Sequence, residues 1–425
     1  MQQSQSKVKK LLFLKKLINS SLIQNIFALS FVQVLNYILP LLLIPYLLKT
    51  LGDSGWGKIV FIQLVLQYFV VVVTYGFQWS AVNKISPIRK QVILVNKLFS
   101  GYFFSQLLLL MVCLLILSAG ILIFDDLKSE FDLLYIGFIA VAGTVIFPIW
   151  MMQALEELKF VALTQLVSQI FCFICIFLFV NSSDDLDVAL FFQSINNLIS
   201  GSLCFCFLYK KGYRLIKISI SDIVISLKDG FTLFTSQVWI SLYTNSIPII
   251  LGLVTNSTVV ATYSVADRIQ KAIRFILNPI SRAIFPRISF LQKNDIEKSD
   301  RLLKISIAFT LIITAIASLI LFTFIDDIIQ FLNAENLPNI YSVIYIFTIM
   351  PVLVGLSSVI SIQALIPKGY SKALNKIWFS ACLITLLIIY PIINEYSVIG
   401  AAVLAVLVEA YILILMLIVL KRGKK

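Results

Sequence analysis

The chain has 425 residues, of which 60% are hydrophobic and 13% are charged, and its net charge is +13. Its mean hydropathy of +0.98 excludes a soluble globular protein, because such a protein needs many more polar side chains to cover its core. A helix that crosses a bilayer needs about 20 mostly apolar residues, and runs of that length recur along the chain. We therefore predict an all-α polytopic membrane protein.

The predicted elements begin with a basic segment that also contains leucines. Residues 1–20 mix lysines with apolar side chains, which is typical of an amphipathic helix in the membrane interface, and we expect it on the cytoplasmic side. A basic cytoplasmic tail, residues 421–425, is expected after the last span. The apolar runs predict about twelve spans, near residues 24–48, 57–79, 98–123, 133–155, 160–180, 188–209, 231–254, 257–280, 305–325, 340–366, 377–393 and 397–420.

Weak repeats relate the two halves of the chain. The tripeptide Gln-Ala-Leu occurs at residues 153–155 and again at 363–365, near the end of the fourth predicted span of each half. The hypothesis of a duplication predicts two pseudo-symmetric six-helix lobes, residues 21–222 and 223–420. An even number of helices per lobe places the pseudo-twofold axis along the membrane normal, with a site expected between the lobes.

Basic residues lie mainly on one side of the predicted membrane. The opposite loops carry only Lys49, Lys58 and Lys128, and they are rich in aspartate. Because cytoplasmic loops are enriched in lysine and arginine, we predict that both termini are cytoplasmic. The same distribution argues against nucleic-acid binding, which would need a clustered basic surface.

Residue types that commonly bind metals or catalyse reactions are scarce. The chain contains no histidine, and its six cysteines fall within predicted spans. The pair Cys172 and Cys175 has the spacing of a redox or metal motif, but its neighbours are apolar and no second pair accompanies it. The predicted loops are also too short to hold an active site. We therefore expect no metal, no cofactor and no enzymatic activity.

The eighth predicted span, residues 257–280, is unusual because it carries charges near mid-membrane. Asp267, Arg268, Lys271 and Arg274 fall on one face of this helix. Each charge in the centre of a span costs about 2.5–3.5 kcal/mol, so the face must turn away from lipid. We predict a cationic cavity. The alternatives are an internal ladder of ion pairs that includes Asp267–Lys271, or a helix that extends into the cytoplasm.

Glu409 is a second charge within a span, in an otherwise apolar stretch. Two interpretations remain open for it. Glu409 is either a structural partner of Arg268 or Lys271, or a carboxylate whose protonation is coupled to the transport cycle. Asp267 is a second candidate for such coupling, and the driving ion would be a proton or sodium.

Uncharged polar side chains also recur at helical spacing in the first, second and seventh spans, with Gln63, Gln67 and Tyr68 in the second. Half of them are expected to form hydrogen bonds between helices, and the others to line a cavity suited to sugar hydroxyls. The candidates for substrate contact among them are Asn36, Tyr37, Gln237 and Asn245.

Several segments are familiar in combination. They are residues 33–52, Gly55-Trp-Gly57, Tyr75-Gly-Phe77, residues 148–159, and Tyr263-Ser264 with Asp267-Arg268. Together they resemble the O-antigen and capsule polysaccharide flippases of the multidrug/oligosaccharidyl-lipid/polysaccharide exporter superfamily. Ala154 departs from the pattern, since that family often has glycine there.

The resemblance implies a fold like that of the multidrug exporters, with two six-helix lobes around a central cavity. It also implies that an undecaprenyl-pyrophosphate-linked oligosaccharide is carried from the cytoplasmic to the outer leaflet of the bacterial plasma (inner) membrane by alternating access. Arg268 and Arg274 would contact the phosphate or an acidic sugar, because guanidinium groups suit such anions. Lys271 would be a supporting charge and Asp267 an orienting partner.

Two other functions are alternatives. A multidrug/cation antiporter of the same superfamily is one, but cationic drugs favour acidic cavities. A membrane polysaccharide polymerase is the other, but it would need a large outer loop with catalytic residues. The expected partners are the lipid-linked oligosaccharide and membrane lipids. The polysaccharide polymerase and the chain-length machinery are further candidate partners.

Overall fold

The computed structural model describes residues 21–275 and 295–422, together with residues 284, 288, 291 and 292. Within these ranges it leaves out the side chains of residues 21–38, 126–127 and 274–275. The predicted interfacial helix, residues 1–20, therefore lies outside the described residues, as does most of the predicted basic tail.

Nearly all of the described chain is helical, and no strand occurs within it. A 3-10 turn, Ser86–Ile88, follows α2, and a π-helical segment, Ile360–Leu365, follows α14. The α-helices are α1 (Ser21–Thr74), α2 (Phe77–Ile85), α3 (Val92–Ile123), α4 (Asp125–Lys128), α5 (Phe131–Ile146), α6 (Ile149–Ala154), α7 (Leu158–Phe179), α8 (Leu186–Lys210), α9 (Ile220–Val254), α10 (Ser257–Phe275), α11 (Ile296–Thr323), α12 (Ile325–Phe331), α13 (Ile340–Phe347), α14 (Met350–Val359) and α15 (Ser371–Arg422).

Nine helical stretches in the described part of the chain are long and apolar enough to cross a bilayer. Two of them, in α1 and α15, are divided by a non-helical residue, Gly52 and Ser397 respectively. Helix α10 is not among the nine, because its charged face lowers its hydropathy. The prediction of an all-α polytopic membrane protein is confirmed, whereas the count of twelve spans stays a prediction.

The break in α1 depends on the backbone conformation of Gly52. Its φ of 74° and ψ of 170° lie in a region that essentially only glycine occupies. A Cβ atom on Gly52 would meet no atom within 4 Å, so conformation and not crowding requires the glycine. The break divides α1 into α1a (residues 21–51) and α1b (residues 53–74).

Helix α9 starts earlier than hydropathy predicts. Ser219 and Asp222 form a capping box that begins the helix at Ile220. Lys97 of α3 lies 3.3 Å from the Asp222 carboxylate, which holds this polar first turn against the N-terminal half of the chain. The predicted boundary between residues 222 and 223 therefore falls inside the first turn of α9. The extents of the two lobes stay predictions.

The helices of each half of the chain pack mainly on one another, and the two halves meet along a surface that we call the seam. In the first half α5 and α7 pack on α8, and in the second α9 packs on α15 and α11 on α14. The halves meet where α9 and α10 pack against α1. A site between the halves would therefore lie among these three helices.

The end of α1b that precedes α2 is held firmly against α9. Tyr75 has a φ of 47° and Gly76 a φ of 71°, and together they make the turn between α1 and α2. The Tyr75 ring stacks on Phe234 with 4.4 Å between centroids. A Cβ on Gly230 would lie 2.8 Å from the Tyr75 carbonyl oxygen, so the backbones approach closely. We call this contact the Tyr75 end of the seam.

Candidate functional site

A cavity of about 560 Å³ lies at the seam, between α1b, α9 and α10. Amide and hydroxyl side chains dominate its polar lining, and the charged side chains all come from α10. The lining residues are Val60, Gln63, Leu64, Gln67 and Val71 of α1b, Gln237, Ile240, Ser241, Thr244 and Asn245 of α9, and Ser264, Asp267, Arg268 and Lys271 of α10.

Helical periodicity places these side chains on single faces. Because an α-helix turns by about 100° per residue, the four lining positions of α10 fall within an arc of about 100° and form one stripe along the helix. The opposite face of α10 carries Val259, Ala266 and Ile269, which are buried against neighbouring helices. Packing of the apolar face therefore turns the charged face towards the cavity and away from lipid, as the cost of intramembrane charge requires.

Asp267 and Lys271 form an ion pair on one turn of α10. The Lys271 Nζ lies 2.5 Å from Asp267 Oδ2, and Gln270 donates a hydrogen bond of 2.6 Å to Asp267 Oδ1. Both carboxylate oxygens thus have partners on their own helix. The charge of Lys271 is compensated in place, so this part of the predicted ion-pair ladder is present.

Arg268 is held by uncharged groups on the other half of the chain. Its Nη2 donates a 3.2 Å hydrogen bond to Gln63 Oε1, and its guanidinium carbon lies 4.6 Å from the centre of the Trp56 ring. Gln63 in turn donates a 3.0 Å hydrogen bond to Gln193 Oε1 of α8. The described lining therefore carries one net positive charge, and it resides on Arg268.

The start of α1b and the start of α10 touch each other at one end of the cavity. The hydroxyl oxygens of Ser54 and Ser257 are 3.1 Å apart. A Cβ on Gly57 would lie 1.8 Å from the Ser257 carbonyl oxygen, so only glycine permits this approach. We call Ser54, Gly57 and Ser257 the Ser257 seal, since they close the cavity at that end.

The cavity contains most of the residues proposed from the sequence whose side chains are described. Asp267, Arg268, Lys271, Gln237 and Asn245 all line it, and Asn245 donates a 2.9 Å hydrogen bond to Ser241. The side chains of Asn36, Tyr37 and Arg274 are not among those that the structure describes. The roles of all eight residues stay predictions.

Glu409 lies elsewhere. It is buried on α15, with 8% of its surface exposed, and it does not belong to the described lining of the cavity. The choice between a coupling carboxylate and a structural counter-ion therefore remains open.

The sequence did not reveal two partners of the cavity. Trp56 is fully buried beneath the Arg268 guanidinium, and Gln193 supports Gln63 from behind. The glycines on either side of Trp56 are a visible signal of close packing, but nothing in the sequence links that tryptophan to an arginine of the other half. Gln193 begins the polar run Gln193-Ser-Ile-Asn-Asn197 in an otherwise apolar helix, which is a visible signal, but the run does not identify Gln63 as its partner.

Two kinds of comparison place the chain among known proteins. A family model described as "Polysaccharide biosynthesis protein" matches residues 22–292. A protein of Escherichia coli (strain K12) named "Putative O-antigen transporter" is 32% identical over 405 residues, which cover 95% of this chain and 98% of that protein. A protein of Shigella dysenteriae with the same name is 27% identical, over 93% of this chain and 98% of that one.

Solved structures share the fold at low sequence identity. The structure titled "Lipid II flippase MurJ, inward closed conformation" has a TM-score of 0.72 and 16% identity, over 92% of this chain and 87% of that one. An inward-facing multidrug resistance transporter of the MATE family has a TM-score of 0.67 and 12% identity, over 93% of this chain and 97% of that one. These structures share the fold alone, whereas the family model and the relative from Escherichia coli show the family: the chain belongs to the polysaccharide biosynthesis protein family.

Proposed function

We propose that this protein is a flippase that carries an undecaprenyl-pyrophosphate-linked oligosaccharide across the bacterial plasma membrane. The substrate would enter from the cytoplasmic leaflet and leave to the outer leaflet by alternating access. The observation that carries the proposal is the position of Arg268, whose charge faces a cavity lined by amides and hydroxyls. A pyrophosphate next to sugars presents the complementary chemistry, an anion beside many hydroxyl groups.

Electrostatics favours an anionic substrate at this position. Coulomb attraction strengthens where the effective permittivity falls below that of bulk water. Arginine also offers a planar fork of donors that matches phosphate oxygens. The alternative function is that of a multidrug antiporter for cations, since a multidrug resistance transporter of the MATE family has a similar fold. A cationic drug would be repelled by the net positive lining, so we do not favour it.

The orientation follows from the loop charges. With both termini in the cytoplasm, α1b and α10 both start on the outer side of the membrane. The Ser257 seal would then close the cavity towards the outside, and the Tyr75 end would face the cytoplasm.

Replacing Arg268 tests the proposal directly. Hydrogen bonds to a charged group contribute about 1.5–3 kcal/mol, so Arg268→Ala is expected to lower substrate affinity by about ten- to a hundredfold. In cells that depend on this protein, surface glycan should fall and lipid-linked oligosaccharide should accumulate on the cytoplasmic side, with membrane insertion unchanged.

The matched control is Lys58→Ala. Lys58 is not part of the described cavity lining, and its Nζ lies 2.8 Å from Glu130 Oε1. Its replacement therefore also removes a cation but leaves the cavity intact. Normal glycan display in an Arg268→Ala strain would show that the cationic lining does not bind the cargo.

A further inference from the structure

The side chain that gives the cavity its charge also ties the two halves of the protein together. Arg268 belongs to α10, whereas Trp56 and Gln63 belong to α1b. The Ser257 seal joins the same two helices at their N-terminal ends. We name the contacts of Arg268 with Trp56 and Gln63 the Arg268 latch.

An anion can displace these contacts. A tryptophan face and a neutral amide oxygen are weaker partners for a guanidinium than a phosphate, whose charge-assisted hydrogen bonds are roughly twice as strong as neutral ones. Asp267 does not compete strongly for Arg268, because its oxygens are already bonded to Lys271 and Gln270. The guanidinium is therefore held in place by partners that a phosphate outcompetes.

Gln63 is prepared for the exchange. Its amide nitrogen is fixed by Gln193, so its oxygen keeps pointing to where Arg268 now lies. When Arg268 leaves, that oxygen becomes a free acceptor on the cavity surface. A substrate hydroxyl can then donate to it, so the polar group is not left unpaired.

We propose that the anionic group of the substrate unlocks the seam by drawing Arg268 away from Trp56 and Gln63, so that the Ser257 seal opens when the anion is bound. This inference rests on the proposed function. A ligand shifts a conformational equilibrium only by its different affinity for the two states. Here the difference arises because Arg268 cannot serve the latch and the phosphate at once. By the same reciprocity, a weakened latch must raise the affinity for the anion.

The test measures closure of the seal in the purified full-length protein. Ser54→Cys with Ser257→Cys places two thiols where hydroxyl oxygens are 3.1 Å apart, so an oxidant should join them rapidly in the closed state. The native cysteines are replaced beforehand. Undecaprenyl pyrophosphate and inorganic pyrophosphate are the two probes, and undecaprenol is the neutral control. Anion binding is measured in parallel by equilibrium dialysis or thermal shift.

We expect the pyrophosphate probes to slow disulfide formation at least severalfold, and undecaprenol to have no effect. If both pyrophosphates act, the anion alone unlocks the seam. If only the lipid form acts, the anion must be delivered on its lipid. In Arg268→Gln, formation should be slow from the start and insensitive to either probe.

Variants of the latch partners separate this mechanism from plain structural packing. Trp56→Leu should slow disulfide formation without any probe and should tighten pyrophosphate binding severalfold. Trp79→Leu is the matched control, since Trp79 is 55% exposed and lies outside the cavity lining. Gln63→Leu, on the cavity surface, provides a second variant if the buried Trp56 cannot be replaced.

The failures are distinguishable. Pyrophosphate that binds while disulfide formation stays unchanged would overturn the latch and leave the proposed function standing. Unchanged affinity and closure in both Trp56→Leu and Gln63→Leu would overturn it as well. If neither pyrophosphate binds, the latch and the proposed function fall together.

Discussion

The hydroxyl of Ser54 lies 3.1 Å from the hydroxyl of Ser257, although 203 residues separate them in the chain. The contact brings the start of α1b onto the start of α10 and closes one end of the cavity. Gly57, one helical turn further along α1b, makes the approach possible. The first prediction concerns this glycine.

Gly57→Ala should prevent closure of the Ser257 seal. Its Cβ would lie 1.8 Å from a backbone oxygen, which cannot move aside as a flexible side chain can. We expect the thiol introduced by Ser257→Cys to react faster with an impermeant reagent added outside, and transport to fall. Gly55→Ala is the matched control, because its nearest contact is the Leu51 side chain at 3.1 Å. Equal reactivity in the two variants would contradict the role given to Gly57.

Lys271→Ala should be much milder than Arg268→Ala. Lys271 is paired with Asp267 and 42% exposed, and partly exposed helical pairs contribute only about 0.3–0.5 kcal/mol. Transport rates of the two variants, at matched expression, check this order. Arg268→Lys should restore activity only in part, because an ammonium keeps the charge but loses the planar fork. Equal losses from Lys271→Ala and Arg268→Ala would show that total charge alone matters.

Asp267→Asn offers a complementary measurement. It removes the partner of Lys271 and raises the net charge of the described lining by one. Pyrophosphate binding should therefore strengthen, and the gain should shrink as salt is added, because salt screens the interaction. A loss of binding would instead assign Asp267 to direct contact with the cargo.

Cysteine labelling tests the predicted orientation. Ser183→Cys lies in an exposed turn between α7 and α8, on the side expected to be outside. Lys90→Cys and Lys217→Cys lie at exposed positions on the side expected to be cytoplasmic. An impermeant reagent should label the first in intact cells, and the other two only after the membrane is opened. Labelling of the Lys90→Cys or Lys217→Cys variant in intact cells would invert the orientation and the proposed direction of transport.

Glu409→Gln addresses energy coupling. If the carboxylate takes up and releases a proton in each cycle, the variant should insert normally but lose any dependence of flipping on the proton gradient. Flipping in vesicles with and without an imposed gradient measures this. A variant that fails to fold, and that is rescued by neutralising Arg268 or Lys271, would make Glu409 a structural counter-ion.

Asp185 provides a pH-dependent feature outside the membrane. Hydrogen bonds from the backbone N–H groups of Asn181 and Ser182 lower the pKa of Asp185 below its ordinary value of 3.8. A lowered pKa stabilises the turn above the ordinary value, and the effect is lost as the pH falls through the lowered one. Amide exchange at Asn181 and Ser182, corrected for intrinsic rates, should therefore rise on acidification. Asp185→Asn should show fast exchange already at neutral pH, and protection equal to the parent would contradict the assignment.

The charged face of α10 was predictable because intramembrane charge is expensive and must turn inward. Asp267, Arg268 and Lys271 accordingly share one cavity wall. The contact of Arg268 with Gln63 spans 205 residues, and single-chain periodicity carries no information about such a pairing. The start of α9 was missed for a different reason. Residues 220–230 include charged side chains, so their low hydropathy did not indicate a span. The capping box of Ser219 and Asp222 was the sequence signal for the start of this helix.

The stacking of Tyr75 on Phe234 has a mechanical consequence. It fixes one end of α1b. Ser54 holds the other end, and Gln63 holds the helix near its middle. A rod anchored at one end swings and does not slide. At about 1.5 Å per residue, Gln63 lies roughly 18 Å and Ser54 roughly 32 Å from Tyr75. A swing that carries Gln63 about 2 Å from Arg268 therefore moves Ser54 by roughly 3.5 Å, so a small displacement at the cation is amplified at the mouth of the cavity.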